Sequence, residues 1–123
     1  MQLRTGIDIL EIERVRLAME KHGDRFQRRI FTPAEITECK GRADALAVRF
    51  AGKEAAVKAL GTGIGPVGWL DVETLHEPGG RPYLVLHGNA EKIASSLGLT
   101  DWSISLSHSQ SHAVAVVVAA GDH

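Results

Sequence analysis

The stretch ADALAVRFAGKEAAVKALGTGIG, residues 43 to 65, decides how the chain folds. From Ala43 to Leu60 it predicts a long helix: at about 100° per residue, Leu46, Phe50, Val57 and Leu60 fall on one bulky stripe. The far side is small, because Ala47, Ala51, Ala55 and Ala59 recur at every fourth position. Small residues let other backbone approach closely, so this helix is expected to be surrounded by protein over most of its circumference. Its charges then need partners. Lys53 lies inside the bulky stripe, and Glu54 and Lys58 stand one turn apart on its border. On a surface helix such an i,i+4 pair contributes only about 0.2–0.5 kcal/mol. In a helix this apolar, the same pair has something to bind. Regular structure is expected to stop at the glycine-rich loop that follows, Gly61 to Gly68.

Outward from this helix, Leu3 to Ile9 alternates as a short strand, with Ile7 and Ile9 on one face and Gly6 and Asp8 on the other. Ile12, Val15 and Met19 recur at helical spacing over Leu10 to Lys21, and Gly23 stops that helix. Thr32-Pro33-Ala34-Glu35 has the form of a helix start, with Thr as N-cap, Pro at the first position and Glu placed to close a capping box. Leu70 to Leu75 and Pro82 to Leu86 flank the turn Pro78-Gly79-Gly80 and read as a hairpin. Asn89 to Leu97 is one more helix, ended by Gly98. Trp102 to Ser107 alternates strictly, and the apolar run Ala113 to Ala120 reads as a fully buried strand. No repeat, linker or domain boundary interrupts residues 1–123, so one domain is expected.

The chain has 123 residues, 44% apolar and 24% charged, a water-soluble globular composition. Its longest apolar run, eight residues, is far short of the roughly 18 that a membrane span needs. No secretory leader is visible at Met1 to Gly6, and the single cysteine, Cys39, suits a reducing compartment, so a cytoplasmic location is expected. Cys39 has no obvious base beside it and is a poor nucleophile. Net charge is −1, which gives no support for nucleic-acid binding. The charge is segregated, however. Residues 1–60 hold twelve Lys or Arg against nine Asp or Glu, and residues 61–123 hold two against six, or +3 and −4. Arg14, Arg16, Arg25, Arg28 and Arg29 crowd one helical region. They fit either an acidic partner or a solvated face laced with Glu11, Glu13, Glu20 and Asp24.

Three constellations carry possible chemistry. Asp8 and Glu54 together suit a hard divalent cation such as Mg²⁺, which takes one or two protein carboxylates and completes its shell with water and phosphate oxygens. A cap and a salt bridge are the plain alternative. Lys58 and the Gly61–Gly65 loop bring positive charge and approachable backbone to one short stretch, an arrangement suited to phosphate, although the Walker order of glycines and lysine is absent. His108 and His112 have the spacing of a helical zinc pair, but residues 102 to 107 alternate as a strand and no Glu accompanies them; His108 closes that strand, where it is either a donor to a ligand at the sheet edge or, by default, a structural histidine.

These residues together resemble the holo-acyl-carrier-protein synthases, the short bacterial type of 4′-phosphopantetheinyl transferase. One signature is Gly6-Ile7-Asp8-Ile9 continuing through Glu11, Glu13 and Arg14. A second, more specific, is Arg49-Phe50-Ala51-Gly52-Lys53-Glu54-Ala55-Ala56-Val57-Lys58-Ala59 followed by Gly61-Thr62-Gly63-Ile64-Gly65. Gly80-Arg81-Pro82-Tyr83 and Ser103 to His108 leading to Ala113-Val114-Ala115 complete the match. The resemblance implies an α+β fold, a small antiparallel sheet packed on one long buried helix. It implies transfer of phosphopantetheine from coenzyme A to a serine of apo acyl carrier protein, releasing adenosine 3′,5′-bisphosphate. Asp8 and Glu54 would hold Mg²⁺, Lys58 would meet the phosphates, and Glu54 is the preferred base. Arg49, Phe50, Pro82, His108 and the loop Gly61, Thr62, Gly63, Ile64 and Gly65 would contact the nucleotide. Arg14, Met19, Arg25, Phe26 and Arg29 would dock the acidic carrier. The short type is a homotrimer with sites between subunits; larger members carry a second acid two residues after the strand aspartate, where this chain has Leu10. A non-catalytic coenzyme A sensor and a pure carrier-docking module are the rival readings.

Overall fold

In the computed structural model, which describes residues 1–122, the chain runs through ten α and β elements with one short 3₁₀ turn. Strand β1 (Gln2–Glu11) leads directly into α1 (Ile12–His22), α2 (Asp24–Ile30) and α3 (Pro33–Cys39). The long helix α4 covers Ala43–Leu60, the range expected from the sequence. A 3₁₀ turn at Trp69–Asp71 precedes the hairpin β2 (Val72–His76) and β3 (Pro82–Leu86); α5 (Gly88–Ser96), β4 (Asp101–His108) and β5 (His112–Gly121) follow. The hairpin's first strand therefore starts at Val72, because Leu70 and Asp71 belong to the 3₁₀ turn.

Local chemistry explains several boundaries. Thr32 accepts from the Glu35 amide at 3.2 Å and the Thr32 amide donates to Glu35 at 3.0 Å, closing the capping box at the start of α3. Gly61 ends α4 with φ 79°, a left-handed conformation that a side chain would strain, and the Gly61 and Thr62 amides return to Lys58 and Val57 carbonyls.

The antiparallel structure is divided in two. β1, β5 and β4 form a three-stranded sheet in that spatial order, and β2 pairs with β3 alone. Helix α4 lies across the larger sheet, with Ala51, Ala55 and Ala59 buried against Ala115, Val117 and Ala119 of β5. This small-on-small contact brings backbones close. A Cβ built on Gly6 would stand 1.8 Å from the Ala55 carbonyl oxygen, so only glycine lets β1 cross α4 here.

Strand β5 is not fully buried, contrary to the expectation from its apolar run. Its residues alternate, with Ala113, Ala115, Val117 and Ala119 covered while Val116 and Val118 are each 37% exposed. Helix α4 covers one face of the sheet and nothing in the single chain covers the other. Leu3, Ile7 and Ile9 of β1 are exposed on the same open face, because their cross-strand partners are Ala120, Val116 and Val114. The alternation within β1 is as expected; its glycine face points inward and its isoleucine face outward.

Lys53 finds its partner inside. Its ammonium donates to Glu35 at 2.7 Å, to the Trp69 carbonyl at 3.0 Å and to the Val72 carbonyl, and it lies 5.5 Å from the Phe31 ring centre. Both Lys53 and Glu35 are fully buried. Burial pulls the Lys53 ammonium below its usual range while Glu35 opposes that fall. Three ammonium donors meet three acceptors, so this charge ties α3, α4 and the start of β2 together.

Candidate active site

Asp8, Glu54 and Lys58 converge where β1 crosses α4. Gly6 sets the close approach, and Asp8, two residues further along, points to the same inner face. The Lys58 ammonium donates to the Ile7 carbonyl at 2.8 Å and to Asp8 at 3.3 Å. Lys58 thus turns to Asp8 across the strand rather than to Glu54 one turn away. Among the described residues Glu54 takes part in no ion pair. Burial pushes its carboxyl above the ordinary carboxylate range, Asp8 adds to that rise, and Lys58 opposes it.

This donor set fits a hard divalent cation. Burial and the neighbouring Asp8 both disfavour the Glu54 charge, and Glu54 has acceptor capacity to spare; a cation between the two carboxylates would offset the one and use the other. No third His, Cys, Asp or Glu joins them among the described residues, which disfavours a zinc-type cluster and leaves shell positions for water or phosphate. His108 and His112 likewise form no such cluster.

A second group of expected residues lies elsewhere on α4. A cleft of about 490 Å³ is lined by Lys40, Arg42, Arg49, His76, Ser107 and His108 together with Glu38 and Asp44. Arg49 is 5% exposed, and its guanidinium donates to the Thr74 carbonyl at 3.3 Å, the Ala45 carbonyl at 3.0 Å and Glu38 at 2.7 Å. Burial alone would raise the Glu38 carboxyl, but hydrogen bonds from Arg49 and His76 outweigh it and hold Glu38 below the usual range. His108 closes β4 and its Nδ1 lies 3.2 Å from the Ser109 carbonyl. Pro82 opposes His76 in the β2–β3 ladder, which places it beside the same cleft. Arg49 and Lys58 are nine residues apart, close to a half turn of helix at about 100° per residue. The Arg49–His108 group and the Asp8–Glu54–Lys58 group therefore flank opposite sides of α4.

Phe50 is half-buried with its ring 4.9 Å from that of Trp69, so it braces the far end of the glycine-rich loop. In that loop Gly63 and Gly65 have φ of 100° and 135°, Ile64 bridges Val67, and the Gly65 amide donates to the Val67 carbonyl. Several of the loop's amides are thus engaged internally.

The basic helices separate the two readings of their charge. Arg16 takes both Glu13 and Glu20, whereas Arg14, Arg25 and Arg29 have no acidic partner among the described residues. Arg25, Phe26, Arg29 and His22 line a hollow of about 320 Å³, and Met19 is half-buried nearby. The acidic residues therefore neutralise Arg16 alone. Cys39 is wholly buried and its thiol is pushed up to about 11 by burial, in keeping with an inert role. Two site residues escaped the sequence: Glu38 and His76, which surround Arg49 from positions 38 residues apart. No spacing signal links them, because the pairing of β2 with the end of α3 exists only in the fold.

Comparison with known proteins places the chain in a family. Residues 4–117 match the 4′-phosphopantetheinyl transferase superfamily. The chain is 50% identical over 122 residues to the holo-[acyl-carrier-protein] synthase of Koribacter versatilis, covering 96% of this chain and 98% of that one. Among solved structures it superimposes with a TM-score of 0.86 on the Helicobacter pylori holo-[acyl-carrier-protein] synthase in complex with coenzyme A, at 33% identity, covering 94% of this chain and 99% of that one. The corresponding Bacillus anthracis enzyme, in complex with CoA (3′,5′-ADP), gives a TM-score of 0.77 at 37% identity over 97% of this chain and 96% of that one. With the shared α+β architecture and near full-length identity, the chain belongs to the 4′-phosphopantetheinyl transferase superfamily, among its holo-[acyl-carrier-protein] synthases.

Proposed function

We propose that this protein transfers 4′-phosphopantetheine from coenzyme A to a serine hydroxyl of apo acyl carrier protein. The observation that carries the reading is Glu54, a half-buried carboxylate raised above its ordinary range beside Asp8 and within one turn of the Lys58 ammonium. The serine oxygen attacks the pyrophosphate phosphorus next to the pantetheine arm. The P–O bond to the nucleotide breaks, and adenosine 3′,5′-bisphosphate leaves. Glu54 is the carboxylate suited to accept the serine proton, because Lys58 pairs with Asp8 and leaves Glu54 without an ion pair among the described residues. Asp8 and Glu54 would hold Mg²⁺, which supplies Lewis-acid neutralisation of phosphate charge when bound. Lys58, half exposed, offers its ammonium to the same phosphates. Arg49, Phe50, Pro82, His108 and the loop Gly61, Thr62, Gly63, Ile64 and Gly65 are assigned to the nucleotide.

The site is assigned to a homotrimer. Its two halves flank opposite sides of α4, an arrangement that adjacent copies would bring onto a single coenzyme A. The open apolar face formed by Leu3, Ile7, Ile9, Val116 and Val118 supports such an assembly, because contiguous exposed apolar surface marks an interaction site. Arg14, Arg25 and Arg29 around Met19 and Phe26 supply unpaired positive charge and an apolar anchor for an acidic carrier. No described helix is long and apolar enough to cross a membrane. A cytoplasmic site of action accords with the unpaired Cys39.

Intact-mass spectrometry of an apo acyl carrier protein incubated with the protein, coenzyme A and Mg²⁺ tests the reading. A gain of one phosphopantetheine, lost with chelator, is the expected result. Coenzyme A binding without any mass gain on several carriers would favour the sensor reading, and carrier binding indifferent to coenzyme A and Mg²⁺ would favour the docking module.

A further inference from the structure

We propose that His76 is a substrate-contacting residue of the cleft, held at Nδ1 by Arg49 and Glu38 so that its imidazolium meets a phosphate of coenzyme A. This rests on the assignment of the Arg49–His108 cleft to the nucleotide end.

Arg49, assigned to the same nucleotide end, has one Nη1 hydrogen left to give it. Its Nε, one Nη1 hydrogen and Nη2 already serve Thr74, Ala45, Glu38 and His76, its side chain is 6% exposed, and Glu38 offsets its charge. His76 lines the cleft together with Glu38 and Arg49, with 29% of its side chain open against 31% for Glu38 and 6% for Arg49. Its Nδ1 lies 3.0 Å from Arg49 Nη2 and 3.2 Å from Glu38 Oε1, and its backbone amide donates to Glu38 at 3.2 Å. A guanidinium only donates and an ionised carboxylate only accepts. A neutral ring must therefore choose, accepting from Arg49 or donating to Glu38. A neutral ring that accepts from Arg49 already carries Nε2–H, but only the protonated ring donates from both nitrogens at once, to Glu38 and to a second acceptor. With an anion in the cleft, that second acceptor is a phosphate oxygen, and the imidazolium then lies between two negative groups.

The other charges around His76 do not supply the same response. Lys40 and Arg42, from the turn before α4, are permanently charged cations that draw in the anion but oppose a further charge on His76. Asp44 at the start of α4 opposes the anion and favours the imidazolium. Arg81 and Glu77 flank it on the β2–β3 turn, and His108 of β4 is the one other titrating ring lining the cleft. Coupling of protonation to anion binding therefore depends on the ring that carboxylate and guanidinium hold at Nδ1.

The test is calorimetric titration of coenzyme A into the full-length assembly, comparing the native protein with His76→Asn and His76→Lys. Asparagine keeps a polar partner for Arg49 but no charge; lysine keeps the charge at every working pH. Histidine changes charge between about pH 5 and 8. Expected are a roughly tenfold weaker Kd for His76→Asn at about pH 6, shrinking to less than about twofold at pH 8.5, and native-like or tighter binding for His76→Lys at both. Because each comparison is made at one pH, the titration of coenzyme A itself cancels. Proton uptake on binding, read in buffers of different ionisation enthalpy, should fall in both variants. A ratio of Kd values that does not change with pH in either variant overturns the proposal, and the lysine variant decides it alone where the asparagine variant does not fold. Coenzyme A bound with the expected ratios but never transferred to a carrier would overturn the transferase reading and leave this one standing. Transfer with flat ratios does the reverse, and failure to bind coenzyme A overturns both.

Discussion

Glu54 sits in a helix that buries almost everything around it, yet its carboxyl remains half accessible and is raised by burial and by Asp8. A residue placed this way is costly to the fold and useful to the chemistry. Replacing it with glutamine should lower transfer at least about a hundredfold, the lower bound expected for loss of a general base. The circular dichroism spectrum should be unchanged; unaltered turnover in that folded variant would remove Glu54 from the mechanism. The same variant tests the electrostatics. A carboxyl raised in the folded state binds its proton more tightly there than when unfolded, so it destabilises the fold increasingly as pH rises from the unfolded value through the raised one. Without metal, Glu54→Gln should therefore melt at a higher temperature than the native protein near neutral pH, and the gap should close in acid. A gap that widens in acid would contradict the raised carboxyl.

At the scale of elements, the crossing of β1 over α4 is the contact on which the site depends. Small alanines on α4 and a single glycine on β1 let the backbones meet, and Asp8 arrives beside Lys58 as a result. Gly6→Ala should cost about 3 kcal/mol, at the upper end of overpacking, because its Cβ would meet backbone rather than a flexible side chain. Urea denaturation measures this, with Thr5→Ala on the exposed face as a control within about 0.5 kcal/mol of the native protein. A Gly6→Ala protein as stable as the control would mean that β1 and α4 can separate at no cost. Lys53 and Glu35 act at the same scale by joining three elements through one buried ion pair. Neither touches the proposed reacting groups, although Lys53 lies beside Glu54 in sequence.

For the whole molecule, the bare face of the sheet and the divided site point the same way. If the proposed trimer forms through this face, Val118→Lys should reduce it to a lower-mass species in sedimentation equilibrium and remove transfer while leaving the monomer folded; an assembly of undiminished stability would exclude this face from the interface. The docking proposed for the carrier uses the opposite kind of surface, charged and exposed. Reversing charge at Arg14 and Arg25 should weaken carrier binding more at low salt than at high salt, since exposed charges are screened beyond a Debye length of about 10 Å at 0.1 M ionic strength. Equal loss at both would argue against electrostatic docking.

How much of this was legible in the chain follows from the range of each interaction. The bounds of α4, the capping box at Thr32–Glu35 and the stop at Gly61 depend on neighbours within a turn or two, and local composition is sufficient to specify them. Asp8, Glu54 and Lys58 could be named as chemistry because a strand–helix pair with glycine and alanine between leaves them few other places to be. The long-range facts had no such signature. The exposure of Val116 and Val118 depends on which face of β5 the helix covers, since an uninterrupted apolar run reads the same on both sides. The partner of Lys53 lies 18 residues away on α3, and the Arg49 clamp joins residues 38, 49 and 76, which share no period. The separation of the site into two halves came from the way α4 is sandwiched, with a sheet on one side and a hairpin on another. Local sequence specifies elements through short hydrogen bonds and caps, but only packing decides which faces meet and which, like the Val116–Val118 face of β5, are left uncovered by the described residues.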